Sequence, residues 1–379
     1  MNWNRRYRVA SWATGHMGEW ALREVIRHPF LDLVGVLTYD EAKEGRDAGD
    51  LCGEGPTGVI ATRDRAAIAA LKADCVIYTP YAGGPVHTRA GSSIEQVVDD
   101  VVALLEAGSN VVTTCTDFHG SGNPRLGDGL ERIRAAGERT GASLWASGGD
   151  PGLVLEQITF GLLATQRRVD SIEIIEMGGN LGQRPSPEMV FDLMGFGKPI
   201  KDFPKNAFAS HLQNEYANPL RELAEAAGFT PDKCLCWGDI AAAKKDLVIA
   251  CGEIKAGTVA AQRFVFAIYE GDREVVRLDQ YAYVTKDVEP AWDLRNTGWQ
   301  VRINGDAPFD ADLTWAVPPD KVGEFVPAYE ANILVNVVPY ICAAPPGIIT
   351  SEDMPPILPG GPRKIRQPRG KLSYIGLRD

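Results

Sequence analysis

Residues 7–40, YRVASWATGHMGEWALREVIRHPFLDLVGVLTYD, constrain the fold of this chain more than any other stretch. A β-rich run at 7–11 enters a tight turn at 12–18. An amphipathic helix is expected over 17–27, stopped by Pro29, and a second apolar run over 31–39 ends on Asp40. Strand, glycine-containing turn, helix, strand and terminal acid are the first half of a dinucleotide-binding fold. The helix N-terminus presents free N–H groups and a positive dipole end, which suit a pyrophosphate. Gly15 lets the backbone approach the phosphates, and Gly18 lets the helix sit close to the strand. The glycine pattern is incomplete. Ala13 occupies the first position of G-x-G-x-x-G, and Trp12 stands where the longer spacing asks for glycine. The expected cofactor turn comprises Trp12, Ala13, Thr14, Gly15, His16, Met17 and Gly18; a purely structural βαβ turn is the alternative.

A chain of 379 residues exceeds one ordinary core, so two domains are expected. A net charge of −11 argues against nucleic acid as the partner. No apolar run reaches membrane-spanning length, and the charged opening residues carry no apolar run that would make a signal peptide. The seven cysteines are odd in number and scattered, which fits a cytoplasmic protein without a disulfide framework. Cys234 and Cys236 have no nearby histidine or second cysteine pair, so no metal site is expected.

Beyond Asp40 a polar loop leads to β runs at 58–62, 74–79, 110–114 and 143–146, with helices over 63–72, 92–107, 125–140 and 153–165. Strands alternating with helices predict an α/β, Rossmann-type, doubly wound parallel sheet over 1–151. Ligands in such sheets bind at the strands' carboxyl ends. The loops 80–91 and 115–124 leave two of those ends. From 152 to 325 the pattern changes. A strand at 171–177, a polar and patchily helical stretch over 184–236, a helix at 219–227 and long β runs over 245–283 predict a second, α+β domain with an antiparallel sheet. Residues 326–379 hold an apolar helix, broken by Pro339 and returning to the first domain, and a Pro/Gly-rich basic tail.

The runs WATGHMG, YDEAKEGRDAGDLCG, NVVTTCTDF, GGDPG, GTVAAQRF and VPYICAAPPGIIT, in this order over nearly the whole chain, resemble the dihydrodipicolinate-reductase-like oxidoreductases. Within them the chain is most similar to the branch of 2,4-diaminopentanoate dehydrogenase and the native amine dehydrogenases. The resemblance implies a Rossmann domain, a dimerising sheet domain, NAD(P), and hydride exchange with an imine or carbonyl. Where that branch has Cys-Glu-Glu, this chain reads Cys115-Thr116-Asp117.

Asp117 is the candidate acid of this loop, and His119 a candidate proton donor near neutral pH. A turn-stabilising aspartate and an exposed loop histidine are the alternatives. Asp40 suits a ribose 2′-OH and favours NAD, and its standing where many relatives carry a serine pushes the same way; Lys43 and Arg46 would instead clamp a 2′-phosphate. Thr79, Pro80, Thr114, Cys115, Gly148, Gly149 and, on the last helix, Asn336 complete the expected cofactor set. Tyr81, Trp145, Asp150 and Pro151 are the expected substrate contacts, with Asp150 also readable as a helix cap. Phe191, Phe196 and Tyr340 are either pocket-lining or core. The function expected is reversible reductive amination of a small ketone or aldehyde by a cytoplasmic homodimer. A carbonyl or cyclic-imine reductase that needs no ammonia and a non-catalytic nucleotide-binding protein are the alternatives.

Overall fold

The computed structural model describes residues 5–80, 93–119, 123–184, 186–203 and 205–359; of residues 116, 124, 150, 205–211 and 214 it describes the backbone alone. The chain begins β1 (Tyr7–Trp12), α1 (His16–Arg27) and β2 (Leu31–Leu37). Gly18, Ala21, Leu22 and Val25 form the buried stripe of α1 at helical spacing. The helix ends because His28 precedes Pro29 and takes an extended conformation. Then follow α2 (Ala48–Cys52), β3 (Ala61–Thr62), α3 (Arg65–Ala70), β4 (Cys75–Tyr78), α4 (Ile94–Glu106), β5 (Asn110–Thr113), α5 (Gly129–Thr140) and β6 (Ser143–Ala146). Ser93 caps α4 by accepting from the Gln96 N–H at 3.1 Å.

The expected helix over 153–165 starts earlier and differs in register. Gly149–Ile158 is a π-helix, which passes into α6 (Thr159–Leu163). The second unit contains β7 (Val169–Gly178), α7 (Lys205–Ala226), β8 (Lys233–Ala243), β9 (Leu247–Ile249), β10 (Gly252–Ile254), β11 (Val259–Glu270), β12 (Arg273–Tyr283), β13 (Val288–Glu289), β14 (Gly298–Gly305) and β15 (Phe309–Thr314). The chain returns through α8 (Val322–Ile341) and ends in β16 (Gly347–Ile349).

The first sheet has seven strands in the order β16-β6-β5-β4-β1-β2-β3, and all its pairs are parallel. Strand order reverses beside β1, so a crevice opens at the carboxyl ends of β1 and β4. Val76 and Tyr78 face the core under α4 and α5, whereas Cys75 and Ile77 face the core under α1 and α8. Burial on both faces explains the unbroken apolar run of β4. The second sheet runs β13-β8-β11-β12-β7-β14-β15. It is mixed rather than wholly antiparallel, because β12 pairs with β7 in parallel. Helix α7 covers one face, where Tyr216 stacks on Phe266 at 5.1 Å.

Two proline readings change. Pro219 lies inside α7, so the helix expected at 219–227 extends back to Lys205. Pro327 and Pro339 both lie inside α8, so Pro339 does not break it. No helix among the described residues is long and apolar enough to cross a membrane.

Candidate active site

The turn after β1 has the geometry that a phosphate site needs. Ala13 adopts φ +88°, a conformation that glycine holds at least cost and that the first glycine of the pattern would supply. Helix α1 opens at Gly15 without a side-chain cap. A Cβ built on Gly15 meets nothing within 4 Å, so open space faces the helix N-terminus. Gly18 has no such room: its Cβ would collide with the carbonyl of Ala13. One glycine therefore faces a space for a ligand, and the other permits helix–strand contact.

The surrounding residues are held in place. Thr14 Oγ1 shares a 2.8 Å hydrogen bond with Thr38, and the Thr14 carbonyl accepts from Lys43 Nζ at 2.6 Å. Lys43 also pairs with Glu19 at 3.0 Å, so it braces the turn, and its ammonium is already engaged where the alternative reading has it clamp a 2′-phosphate. Asp40 is exposed at the end of β2, where one of its oxygens accepts from the Ala42 N–H at 2.9 Å. Arg46 is exposed on the following loop, and Met17 is half-buried in the first turn of α1. Trp12 contributes backbone: its ring is buried, tilted against Tyr78 at 5.7 Å, and its Nε1 donates to Tyr39 at 2.8 Å. Thr79 Oγ1 donates to the Trp12 carbonyl at 3.2 Å, which ties the ends of β4 and β1 together.

The neighbouring strand ends complete the crevice. Thr114 is half-buried at the end of β5. Cys115 is buried, and its thiol donates to the Pro80 carbonyl at 3.1 Å. Burial pushes that thiol up to about 12, so it is a structural group and not a nucleophile. Gly148 caps the π-helix, so Asp150 is not the cap; it lies in the first turn, before the buried Pro151. Gly149 packs where a Cβ would strike the Tyr329 hydroxyl of α8 and come within 3.5 Å of Glu330 Oε1. Burial raises the Glu330 pKa, and the nearby Arg184 opposes that shift. Arg184 also acts on His16, whose pKa is lowered first by burial and then by that guanidinium. The segment after β7 thus reaches across to the start of α1.

Two carboxylates and a histidine lie past the ends of β5 and β6. Asp117 is buried, accepting from Asn123 Nδ2 at 3.1 Å and pairing with Arg125 Nη1 at 3.0 Å. The residue expected as the acid of this loop is thus already engaged by the loop's own amide and guanidinium. His119 is also buried, not exposed on a loop, and its Nδ1 lies 3.5 Å from Oε1 of the buried Glu156.

Several expected contacts lie elsewhere. Trp145 is fully buried in the core with Val9, Ile77 and Leu334, so it packs the domain and lines no substrate pocket. Asn336 lies beside His28, past the far end of the twelve-residue α1 from Gly15, and does not reach the phosphate turn. Phe196 and Tyr340 are core residues, and Phe191 packs against the core of the second unit. Tyr81 lies outside the described residues. The sequence reading missed Glu156, Arg184, Tyr329 and Glu330. Glu156 and Glu330 did leave a trace, each being a lone acid in an apolar run, LVLEQI and PAYEANILV.

No protein-family model matches the chain. It is 28% identical over 355 residues to an amine dehydrogenase of Streptomyces virginiae, covering 91% of this chain and 95% of that one. The fold is similar to the structure of amine dehydrogenase from Mycobacterium smegmatis, with TM-score 0.74 at 18% identity over 94% of this chain and 98% of that one. It is also similar to GenD2 from gentamicin A biosynthesis, solved in complex with NAD, with TM-score 0.52 at 13% identity over 93% and 91% of the two chains.

Proposed function

We propose that the chain is an NAD(P)-dependent oxidoreductase whose reaction is the reversible reductive amination of a small ketone or aldehyde. The observation that carries the reading is the uncapped start of α1, with open space in front of Gly15 at the strand-order reversal. Free N–H groups and a positive dipole end suit a pyrophosphate there, and Gly15 puts no side chain in its way. Thr14, Gly15, His16 and Met17 would hold the phosphates, with Asp40 at the adenosine ribose. When bound, the nicotinamide supplies the hydride. The chain supplies position: the ends of β4, β5 and β6 surround the place where ring and substrate meet.

The relative from Streptomyces virginiae, an amine dehydrogenase, supports an amine as the product. Asp40 supports NAD over NADP, since its carboxylate would repel a 2′-phosphate and Lys43 is occupied by Thr14 and Glu19. The engagement of Asp117 by Arg125 favours a second reading, direct carbonyl reduction without ammonia.

Initial rates of NADH and NADPH oxidation with a panel of small ketones and aldehydes, with and without ammonium, test all three statements. Ammonium-dependent oxidation, faster with NADH, is the expected result. Rates independent of ammonium would replace amination by carbonyl reduction. Strong preference for NADPH would shift the cofactor assignment to Arg46. Failure of both nucleotides to bind would overturn the oxidoreductase reading.

A further inference from the structure

His119, past the end of β5, and Glu156, past the end of β6, stand apart from their surroundings. Both are more than nine-tenths buried, and His119 Nδ1 lies 3.5 Å from Glu156 Oε1. The other ring nitrogen, Nε2, is buried without a hydrogen-bond partner among the described residues. A buried polar atom left unpaired forfeits its hydration without return, so a fold that keeps one needs a reason, and a ligand that completes it is such a reason. Asp117, two residues earlier, shows the contrast, because Asn123 and Arg125 both satisfy it.

Glu156 belongs to the π-helix Gly149–Ile158. Such register is rare and concentrates at functional sites. The wider turn gives Glu156 a different azimuth from the one an α-helix begun at Gly149 would give it. This helix leaves the end of β6, whereas His119 follows the end of β5, so the pair spans two adjacent strand ends of the crevice.

We propose that Glu156 and His119 form a carboxylate–imidazole pair that handles the proton of the reaction, with Glu156 the positioning residue and His119 Nε2 the acid–base atom. The proposal rests on the oxidoreductase reading above. A carboxylate accepting from Nδ1–H fixes the neutral ring as the Nδ1–H tautomer and stabilises the imidazolium. A separation of 3.5 Å is long, as such bonds often are before substrate arrives.

For amination, ammonia first adds to the carbonyl carbon to give a carbinolamine. Imidazolium Nε2–H then protonates the leaving hydroxyl, the C–O bond breaks, and the nitrogen lone pair closes the C=N bond. Water departs and His119 is left neutral. In the reverse direction Nε2 takes a proton from the water that adds. No oxidant or reductant enters this step.

The test combines ¹⁵N NMR of the histidine rings with kinetics. His119→Gln assigns the signal by deleting it. In wild type, His119 is expected as the Nδ1–H tautomer. In Glu156→Gln the amide can donate to Nδ1, so the tautomer should invert or mix. Both Glu156→Gln and His119→Gln should lower kcat by about 10²-fold, while NADH affinity stays within about twofold of wild type. The double variant should be little worse than the poorer single one. Glu156→Asp, which keeps the charge, should recover part of the rate and serves where Glu156→Gln does not fold. An Nε2–H tautomer in wild type, a spectrum unchanged in Glu156→Gln, or turnover within a few-fold of wild type in both single variants would overturn the pair. Failure of the oxidoreductase reading itself would appear separately, as wild-type protein that binds neither NADH nor NADPH; the tautomer measurement then still decides the geometry.

Discussion

A Cβ placed on Gly18 would overlap the carbonyl oxygen of Ala13, while three residues earlier a Cβ on Gly15 would meet nothing. The two glycines therefore separate folding from binding. Gly18→Ala must push α1 away from β1 and should lower Tm, at a cost on the order of 1–3 kcal/mol for overpacking. Gly15→Val should fold with Tm near wild type yet weaken NADH binding by about tenfold or more, since the branched side chain fills the phosphate space. Thermal melts and fluorescence titration check both. If Gly15→Val binds NADH as wild type does, the phosphates lie elsewhere.

Asp117 sets a second expectation. Its buried carboxylate holds both Asn123 and Arg125, so it anchors the loop after β5. Asp117→Asn should destabilise by about 2–4 kcal/mol, because Arg125 loses its charged partner. Turnover per folded molecule should stay within a few-fold of wild type. Urea unfolding gives the first number and active-site titration the second. A stable, inactive variant would return Asp117 to the chemistry.

These two expectations also show what the sequence discloses. The turn at 12–18 was legible because strand, glycines and helix sit within one short window. The strands at 74–79, 110–114 and 143–146 were legible because burial on both faces makes continuous apolar runs. Strand β8, KCLCWGDIAAA, was not, since it lacks β-branched residues over most of its length and gains its place by pairing with β11. Strand β16 follows two prolines and is three residues long, so only its partner β6 defines it. The proline readings failed because tertiary packing carries α7 and α8 through Pro219 and Pro339. The partner of His119 is 37 residues away, and nothing local joins them. Asn336 and Trp145 misled because residue type was read without knowing which face each presents.

Thiol burial predicts behaviour at high pH. Burial pushes Cys115 and Cys234 up to about 12 and Cys236 up to about 11, from an ordinary 9.0. A raised folded pKa means that the unfolded chain loses its thiol protons first. This contribution is complete below pH 9.0, falls as pH rises, and is gone above 11 to 12. Tm should therefore decline steadily above about pH 9. Native Cys115 should also resist maleimide at about pH 8, and react once the protein is unfolded. A flat Tm profile, or fast labelling of native Cys115, would contradict this.

The second sheet predicts an assembly. Helix α7 covers the face that carries Phe264, Phe266 and Leu278. The opposite face carries Arg263, Arg277 and Asp279, with both guanidiniums hydrogen-bonded to the buried Asp279 carboxylate. Beside this network Trp237 lies under Arg277 at 5.3 Å and stays 40% exposed, and Leu235 is 45% exposed. A broad sheet face with exposed large apolar groups and a polar, ion-paired centre suits a second copy of the same face, arranged about a two-fold axis. Such an interface needs about 800 Å² from each partner, well within the area of seven strands. Light scattering at micromolar concentration should give twice the 41.1 kDa chain mass. Trp237→Glu with Leu235→Glu should return the single mass without lowering nucleotide affinity, because neither residue approaches the phosphate turn. The Arg263–Asp279 pair is left intact in this design, since breaking it would confuse folding with assembly. A wild-type protein of single mass would remove the dimer, and a double variant that still has twice the mass would move the interface to another face.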